Sequence, residues 1–392
     1  MTGNRDTTRH RNDRSCSRTA AASACVASLS PNLARGPTVV TVTTLAAVHA
    51  VLPPHRYEQA ELTRLFADLC LPAGGRSLRV AQRFHDNASV RTRHLALPIE
   101  QYEQLNGFTD ANNAFLDVAV DLGAQAVAGA LAEAGLAPAD VDLIVSTTVT
   151  GLAVPSLDAR IAGRLGMRPD VKRVPLFGLG CVAGAAGISR LHDYLRGAPG
   201  EVAVLVSVEL CSLTVQRADP SVANMIASGL FGDGAAAVVA VGSDREAQGP
   251  RVVDTRSHLY PETARAMGWD IGSTGLKIVL GAEVPELVQL YLGEDVRGLL
   301  AEHDLKVEDV ARWVSHPGGP KVIEAIQEVL GVQRYELQLT WDSLARVGNL
   351  SSASVLHVLR DTLRQRPAAP GDWGVVMAMG PGFCSELVLV QW

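Results

Sequence analysis

The sequence contains an internal repeat, and this feature limits the possible folds more than any other. Residues 139–208 resemble residues 308–379 at a nearly constant offset, which is 169 positions between Val145 and Val314 and 168 between Cys181 and Asn349. The first copy contains DVDLIVSTTVTG and APGEVAVLVSV, which align with DVARWVSHPGG and APGDWGVVMAM in the second. Each copy predicts a strand, a turn, a helix and another apolar strand. We therefore expect two similar α/β halves.

A cysteine and an asparagine occupy equivalent positions in the two copies. Cys181 lies in GLGCVAGAAG and Asn349 in RVGNLSSASV, and each residue precedes a segment with helical periodicity. His316 follows the repeated strand in the second copy. If the halves pack face to face, the two helix starts meet and three polar groups from distant parts of the chain converge. We therefore predict a catalytic site formed by Cys181, His316 and Asn349.

The composition supports an α/β fold with many tight turns. With 36 glycines and only 5% aromatic residues, the chain fits an α/β protein better than an all-β sandwich. Periodicity predicts a helix over 112–135 and a strand over 141–149. We predict an Arg-rich disordered extension over 1–36, an N-terminal half over 37–240 and a C-terminal half over 241–392.

Charge, cysteine usage and hydropathy exclude several classes of protein. The net charge of -6, without a compact stripe of Lys and Arg, argues against nucleic acid as a partner. The six cysteines form no CxxC pair and no Cys/His ligand spacing, so we expect no metal site and a reducing, cytoplasmic location. No apolar run reaches the roughly 20 residues that cross a bilayer, so no membrane span is predicted.

The position of Cys181 is typical of a reactive thiol. It follows the strand-like VPLFGLG and opens a helix of small residues, where the positive helix end favours a thiolate. An ion pair with His316 would lower the pKa of the thiol further. The alternative is a buried structural cysteine. The flanking glycines and the equivalent position of Asn349 favour the nucleophile.

His316 and Asn349 can act together on one carbonyl oxygen. His316 lies in SHPGGP, where Pro and Gly prevent regular structure after the strand, and Asn349 lies in GNLSSAS. A core histidine and a helix N-cap are the simpler interpretations. As a pair, however, the two side chains supply hydrogen bonds to an enolate, which forms when a malonyl thioester loses carbon dioxide. This chemistry requires no protein carboxylate as a base.

Together these motifs resemble the type III polyketide synthases, which include chalcone synthase, within the thiolase superfamily. GLGCVAGAAG, FGDGAAAVV, SHPGGP, GNLSSAS and MGPGF occur in the family's order between Pro37 and Trp392. The resemblance implies a homodimer of thiolase-like αβαβα cores. It also implies a starter acyl group on Cys181, extension by decarboxylative condensation with His316 and Asn349, and CoA thioesters as substrates without a permanently bound cofactor.

The resemblance also assigns residues to the substrate cavity. Phe231 matches a gatekeeper phenylalanine, Ile278 stands where a second one is expected, and a Gly-rich loop reads Gly380-Pro381-Gly382. The loss of one aromatic wall favours an aliphatic, fatty acyl starter and alkylpyrone or alkylresorcinol products, as in similar bacterial synthases. The further candidates for the cavity wall, which could instead be plain core, are Thr214, Cys211, Thr150 and Ala153.

The basic residues expected to bind CoA are only partly present, and other classes of protein share the catalytic residues. QRFHDN keeps Arg83 but has Asn87 where the resemblance leads us to expect a lysine, so CoA affinity is expected to be weaker. The starter could then come from an acyl carrier protein, as in a germicidin-type pyrone synthase. Three alternatives are a ketoacyl-ACP synthase III with one condensation, a thiolase that uses Cys384 as base, and an inactive scaffold.

Overall fold

The computed structural model describes residues 42–71, 75–217 and 219–392. The predicted extension over 1–36 lies outside these residues. The strands are β1 Thr43–Val51, β2 His55–Glu58, β3 Thr92–Leu95, β4 Leu143–Thr148, β5 Lys172–Phe177, β6 Val202–Leu210, β7 Asp233–Val241, β8 Arg251–Leu259, β9 Met267–Gly272, β10 Gly275–Leu280, β11 Val310–Ser315, β12 Trp373–Gly380 and β13 Cys384–Gln391. The helices are α1 Gln59–Cys70, α2 Gly75–Asn87, α3 Phe108–Glu133, α4 Leu157–Leu165, α5 Ala183–Gly197, α6 Val222–Leu230, α7 Val284–Ala301, α8 Pro320–Leu330, α9 Gln338–Val347 and α10 Ser352–Gln365.

The strand order of the main sheet confirms the repeat. Nine strands of the described residues pair in the order β11-β12-β13-β8-β1-β7-β6-β4-β5. In one half β4 is parallel to β6, which is antiparallel to β7, and β7 is antiparallel to β1. In the other half β11, β12, β13 and β8 repeat this pattern. The repeated segments therefore form β4 and β11, and then β6 and β12, at equivalent places in the two halves.

The helices complete the predicted αβαβα layers. Helices α5 and α10 contact each other and share one apolar cluster with the strands of both halves. Helix α3 contacts β1, β6 and β7, and its apolar residues form a second cluster with that half of the sheet. Helix α7 packs with α8 and belongs to a third cluster with the other half. The central pair α5 and α10 therefore brings the two helix starts together, as the repeat predicts.

Helix α3 corrects the expectation about apolar runs. It is long and apolar enough to cross a membrane by length and composition, with half of its most apolar window buried. Its contacts with β1, β6 and β7 account for that composition, because a helix on the outer face of a sheet must cover apolar strand side chains. This single helix is weak evidence for a span.

The close approach of α5 and α10 depends on Gly184. A Cβ at this position would lie 2.3 Å from the backbone oxygen of Ser352 and 2.6 Å from the side chain of Val355. We expect Gly184→Ala to lower the free energy of unfolding by about 1–3 kcal/mol, because the clash involves backbone that cannot rotate away. Urea unfolding measures this change. The control is Gly163→Ala in α4, where nothing lies within 4 Å and alanine should stabilise the helix by up to about 1 kcal/mol.

Candidate active site

The three predicted catalytic residues line one cavity of about 470 Å³. Cys181 lies in a short 3-10 turn, Gly180–Val182, that leads into α5, and it is 9% exposed. His316 follows β11 and is 5% exposed, and Asn349 lies shortly before α10 and is 2% exposed. The structure thus brings a thiol, an imidazole and a carboxamide to one largely apolar chamber.

Two glycines, one in the turn that holds Cys181 and one in the loop that packs against this turn, allow the two segments to lie close together. Gly180 has a φ of 55°, and a Cβ there would lie 2.7 Å from Cδ of Pro381. A Cβ on Gly380 would lie 2.7 Å from the backbone nitrogen of Val182. Gly380 and Pro381 therefore support the Cys181 turn, and Gly380, Pro381 and Gly382 are absent from the cavity wall within the described chain. Their contact with the substrate stays a prediction, and in this structure the loop faces the turn.

The backbone of Asn349 is fixed by the segment that carries Phe231. The N–H of Asn349 donates to the carbonyl of Leu230 at 2.9 Å, and the N–H of Gly232 donates to the carbonyl of Asn349 at 2.9 Å. The side-chain Oδ1 of Asn349 accepts from the N–H of Ser351 at 2.8 Å. This orientation leaves the Nδ2 donor for the thiol and the cavity. Ser351 is the N-cap residue of α10. Asn349 is therefore not the helix N-cap that the simpler interpretation of the sequence expected.

Burial, and not an ion pair, dominates the electrostatics of Cys181. Burial raises the pKa of the thiol to about 12, although hydrogen bonds to Ser351 and Asn349 oppose this rise. The thiol of Cys181 donates to Oγ of Ser351, and 3.8 Å separates Sγ from Oγ. The structure therefore favours a raised pKa of the Cys181 thiol over the lowered pKa expected from the sequence. The loss of solvation outweighs the helix end, because the thiol is enclosed by both halves of the protein.

His316 is a neutral imidazole without partners. Burial lowers its pKa to about 3. Among the described residues, neither ring nitrogen has a hydrogen-bond partner, so the predicted ion pair with Cys181 does not form in this state. The backbone N–H of His316 donates to the carbonyl of Met377 on β12 at 2.9 Å, which fixes the ring at the cavity wall. Both nitrogens are thus available to a substrate or to the thiol proton.

The raised pKa predicts slow, pH-dependent alkylation of the free enzyme. Below a thiol pKa of about 12, the thiolate fraction rises about tenfold per pH unit. We therefore expect the rate of Cys181 alkylation by iodoacetamide to rise about tenfold per unit between about pH 7 and 9. Peptide mass spectrometry measures it, with Cys384→Ala removing the other described thiol that is partly exposed. An alkylation rate that does not change above pH 7 would instead support the thiolate–imidazolium pair expected from the sequence.

The side chain of Phe231 lies between the catalytic cavity and a second, inner cavity. Its side chain lines both the 470 Å³ cavity and an inner cavity of about 70 Å³. Ile278, Thr214 and Cys211 line the inner cavity. Thr150 and Thr214 line a further cavity of about 240 Å³. These placements fit the assigned positions along a route that begins at Cys181.

Three predicted positions lie outside this route. Ala153 packs against the core cluster around α3 and lines none of these three cavities in the described part of the chain, so it is core. Arg83 is exposed on α2 in a recess beside the cavity mouth, which Asn87 also lines. The Cys384 thiol lies 3.2 Å from the carbonyl of Pro381 and, within the described residues, is not among those that line the cavity.

Sequence reasoning missed a buried carboxylate near the thiol. Glu209 at the end of β6 is 0% exposed and accepts hydrogen bonds from Ser352 Oγ at 2.5 Å and Thr150 Oγ1 at 2.9 Å. Burial raises its pKa, so a proton is retained more readily than in water. The signal was an acidic residue near the end of VAVLVSVEL, a strand whose other residues are apolar except for Ser207.

Comparisons with known proteins agree on one family. The chalcone and stilbene synthase N-terminal domain matches residues 33–245, and the C-terminal domain of the same family matches residues 251–392. A 1,3,6,8-tetrahydroxynaphthalene synthase of Streptomyces peucetius subsp. caesius is 57% identical over 354 residues, or 89% of this chain and 93% of the relative. A putative chalcone synthase of Bacillus subtilis (strain 168) is 33% identical over 78% of this chain and 87% of the relative.

A solved structure agrees with these matches. It is the 1,3,6,8-tetrahydroxynaphthalene synthase of Streptomyces coelicolor A3(2), described as a bacterial type III polyketide synthase. Its TM-score is 0.84 at 31% identity, with 89% of this chain and 99% of that chain covered. The thiolase-like layered architecture is therefore common to both proteins.

Proposed function

Because the chain belongs to the chalcone and stilbene synthase family of type III polyketide synthases, we propose that Cys181, His316 and Asn349 are its catalytic residues. Enzymes of this family are acyltransferases that condense CoA thioesters. The observation that carries the proposal is that all three side chains line one buried cavity. The nitrogens of His316, which lack a partner within the described residues, add support, because a buried polar group without a partner is costly unless a ligand uses it.

Loading begins with the Cys181 thiol. Sγ attacks the carbonyl carbon of the acyl-CoA thioester, and the neutral imidazole of His316 takes the thiol proton. The C–S bond to CoA breaks, and CoA leaves as a thiol after it receives that proton. The product is an acyl group on Cys181. A neutral thiol in the free enzyme suits this route, since the proton moves only when a substrate is present.

Extension uses a malonyl thioester in the same cavity. Its carboxylate leaves as carbon dioxide, and the electron pair forms an enolate whose oxygen accepts hydrogen bonds from Nδ2 of Asn349 and from His316. The enolate carbon attacks the acyl carbonyl, the new C–C bond forms and the bond to Sγ breaks. The Cys181 thiolate then attacks the thioester carbonyl of the extended chain, the C–S bond to CoA breaks, and CoA leaves as a thiol with a proton from solvent, which returns the chain to Cys181 for the next cycle. No carboxylate base is needed, which fits an apolar chamber.

We propose a malonyl-derived starter and a polyhydroxylated aromatic product. The relative at 57% identity is named for tetrahydroxynaphthalene, whose ten carbons correspond to five two-carbon units. The inner cavity beyond Phe231 measures only about 70 Å³, which suits short units better than a long alkyl chain. The second candidate is the fatty acyl starter with alkylpyrone or alkylresorcinol products. The apolar wall of Leu62, Leu65 and Leu69 favours it.

Mass spectrometry of products tests these candidates. The purified protein is incubated with malonyl-CoA alone, and then with acyl-CoA starters from acetyl to palmitoyl. We expect an aromatic product from malonyl-CoA alone. Products only with long acyl-CoA would instead support the fatty acyl starter, and products only with acyl-loaded carrier protein the germicidin-type alternative. A single β-ketoacyl product would identify one condensation, as in a ketoacyl-ACP synthase III.

We further propose that the two halves of each chain divide near residue 240 and that the protein is a cytoplasmic homodimer. Strand β7 ends at Val241, and the connection that follows it to β8 supports a division there. Strand β5 lies at the end of the sheet and exposes Phe177, while the neighbouring loop exposes Val154 at 96%. A second copy would cover these apolar side chains. Sedimentation of the wild type and of Phe177→Lys tests this, and we expect a dimer and a monomer, respectively.

A further inference from the structure

A buried cation lines the inner cavity beyond Phe231. Arg93 on β3 is 4% exposed and belongs to the wall of this cavity. Within the described residues it is the only lysine or arginine that is buried. Much of the remaining wall is apolar, with Leu62, Leu65 and Phe66 among its residues. A charge in such surroundings destabilises the fold unless hydrogen bonds or a ligand compensate it.

The guanidinium of Arg93 uses only part of its hydrogen-bonding capacity. Nε donates to Oε1 of Gln59 at 3.0 Å, and Nη1 donates to the carbonyl of Phe231 at 2.7 Å. In the part of the chain that the structure describes, Nη2 has no acceptor and no carboxylate forms an ion pair with Arg93. A guanidinium carries five N–H groups, so three remain for another partner.

Asp233 acts on the charge of Arg93 without pairing with it. The buried oxygens of Asp233 accept hydrogen bonds from the N–H of Ala96 at 2.6 Å, from the N–H of Ser212 at 2.8 Å and from the Ser212 hydroxyl. Burial lowers the pKa of Arg93 to about 10, and Asp233 opposes this fall. Because this pKa lies above 7, Arg93 keeps its charge at neutral pH.

The stem of Arg93 is held between two glycines. A Cβ on Gly232 would lie 3.6 Å from Cγ of Arg93, and a Cβ on Gly348 would lie 3.2 Å from Cδ. This packing and the hydrogen bonds to Gln59 and Phe231 fix the guanidinium at the wall of the inner cavity. The remaining N–H groups are therefore preorganised, and a ligand that binds them orders little additional side chain.

A poly-β-keto chain supplies acceptors that match these donors. On the proposed function, the chain grows from Cys181, and its distal end moves past Phe231. Each extension places an oxygen two carbons from the last, and the CH2 group between two carbonyls loses a proton readily to give an enolate. A planar guanidinium can donate to both oxygens of such a unit. An alkyl chain has no acceptor and would leave the cation without a partner.

The size of the inner cavity limits what it can hold. Its volume is about 70 Å³, and one water-sized group needs roughly 10–15 Å³ by the same measure. Several such groups fit, which is enough for the distal unit of a chain and too little for the whole chain. The guanidinium is thus placed to meet the end of the chain that is remote from the reacting thioester.

We propose that Arg93 binds the distal 1,3-dicarbonyl unit of the growing chain as an enolate, and so selects a polyketone over an alkyl chain in the inner cavity. The inference rests on the proposed function. The unit loses its CH2 proton to solvent, and no other covalent bond changes. Held in this way, the distal end stays away from the thioester, which favours further extension over early release as a short pyrone.

Two variants of Arg93 separate its charge from its hydrogen bond to Phe231. Arg93→Gln retains an N–H that can donate to the Phe231 carbonyl but removes the charge, whereas Arg93→Lys keeps a charge on a stem of similar length. With malonyl-CoA as substrate, we expect the ratio of aromatic product to short pyrones to fall at least roughly tenfold in Arg93→Gln. In Arg93→Lys it should stay within about threefold of the wild type. Equal falls in both variants, measured by liquid chromatography and mass spectrometry, would overturn the proposal.

A third variant tests whether Arg93 only positions the Phe231 segment. Nε2 of Gln59 donates to the carbonyl of Gly229 at 2.7 Å, and Gln59→Met removes this support while Arg93 keeps its charge and its hydrogen bond to Phe231. We expect the product ratio to remain within about threefold of the wild type, and thermal unfolding confirms that the variant is folded. Products shortened as much as in Arg93→Gln would show that the position of the segment determines chain length, which contradicts binding by Arg93.

Binding of acetylacetone separates this proposal from the proposed function. Acetylacetone is a small 1,3-diketone whose enolate absorbs at a longer ultraviolet wavelength than its neutral forms. Beside a fixed cation, we expect the enolate fraction of the bound diketone at pH 7 to be roughly tenfold or more above that in water for the wild type, and unchanged for Arg93→Gln. Spectra are recorded immediately after mixing, because this reagent modifies amines slowly.

The outcomes of this measurement do not depend on catalysis. A wild type that forms no polyketide would contradict the proposed function and leave the spectra readable. A wild type that binds acetylacetone without a gain in enolate would overturn the Arg93 proposal, as would an equal gain in the wild type and in Arg93→Gln.

Discussion

Cys181→Ala is expected to abolish acyl loading and polyketide formation together. The variant has no sulfur to form the thioester, and no other group on the cavity wall is a comparable nucleophile in the described residues. We expect product formation to fall by at least about 1000-fold. Intact-protein mass spectrometry after exposure to acyl-CoA or malonyl-CoA measures loading, and chromatography measures product.

Residual decarboxylation distinguishes this result from loss of the fold. If His316 and Asn349 stabilise the enolate, Cys181→Ala should still convert malonyl-CoA to acetyl-CoA and carbon dioxide. The control is Cys211→Ala, which removes a buried thiol from the inner cavity and should leave loading intact. An acyl adduct on Cys211 in the Cys181→Ala variant would contradict the assignment of the nucleophile.

The repeat predicted the topology because it reflects how the two halves are built. Equal spacing of strand, turn and helix in two segments implies equal connections, and the sheet shows the same pairing around β4 and β11. Individual boundaries were less accurate. The helix predicted over 112–135 spans Phe108–Glu133, and the strand predicted over 141–149 spans Leu143–Thr148. End residues depend on local hydrogen bonds that periodicity does not specify.

The electrostatics of the site could not be predicted from local sequence. The helix start beside Cys181 favours a thiolate, but the pKa follows the burial that both halves impose together. The same reason explains the Gly380-Pro381-Gly382 loop, whose contacts with the Cys181 turn join residues far apart in the chain. Glu209 was missed because its partners, Thr150 and Ser352, come from two other segments. Residue types identify candidates, and long-range packing determines their chemical state.

Asn349→Ala is expected to separate the two half-reactions. The backbone bonds to Leu230 and Gly232 remain, so the turn should keep its path, but the Nδ2 donor disappears. Loss of one donor to a developing oxyanion typically costs roughly 100- to 1000-fold in rate, and we expect decarboxylation of malonyl-CoA to fall by that factor. Loading of Cys181 should change by no more than about fivefold, because attack on the starter does not pass through the enolate.

Asn349→Asp isolates the donor from its orienting contact. Aspartate retains an oxygen that can accept the 2.8 Å hydrogen bond from the N–H of Ser351, so the shape of the turn before α10 is preserved. It offers no N–H to the enolate and adds a negative charge beside it. We therefore expect decarboxylation to be at least as impaired as in Asn349→Ala, with loading again retained. Equal losses of loading and decarboxylation in both variants would show that Asn349 supports the Cys181 turn and does not act on the enolate.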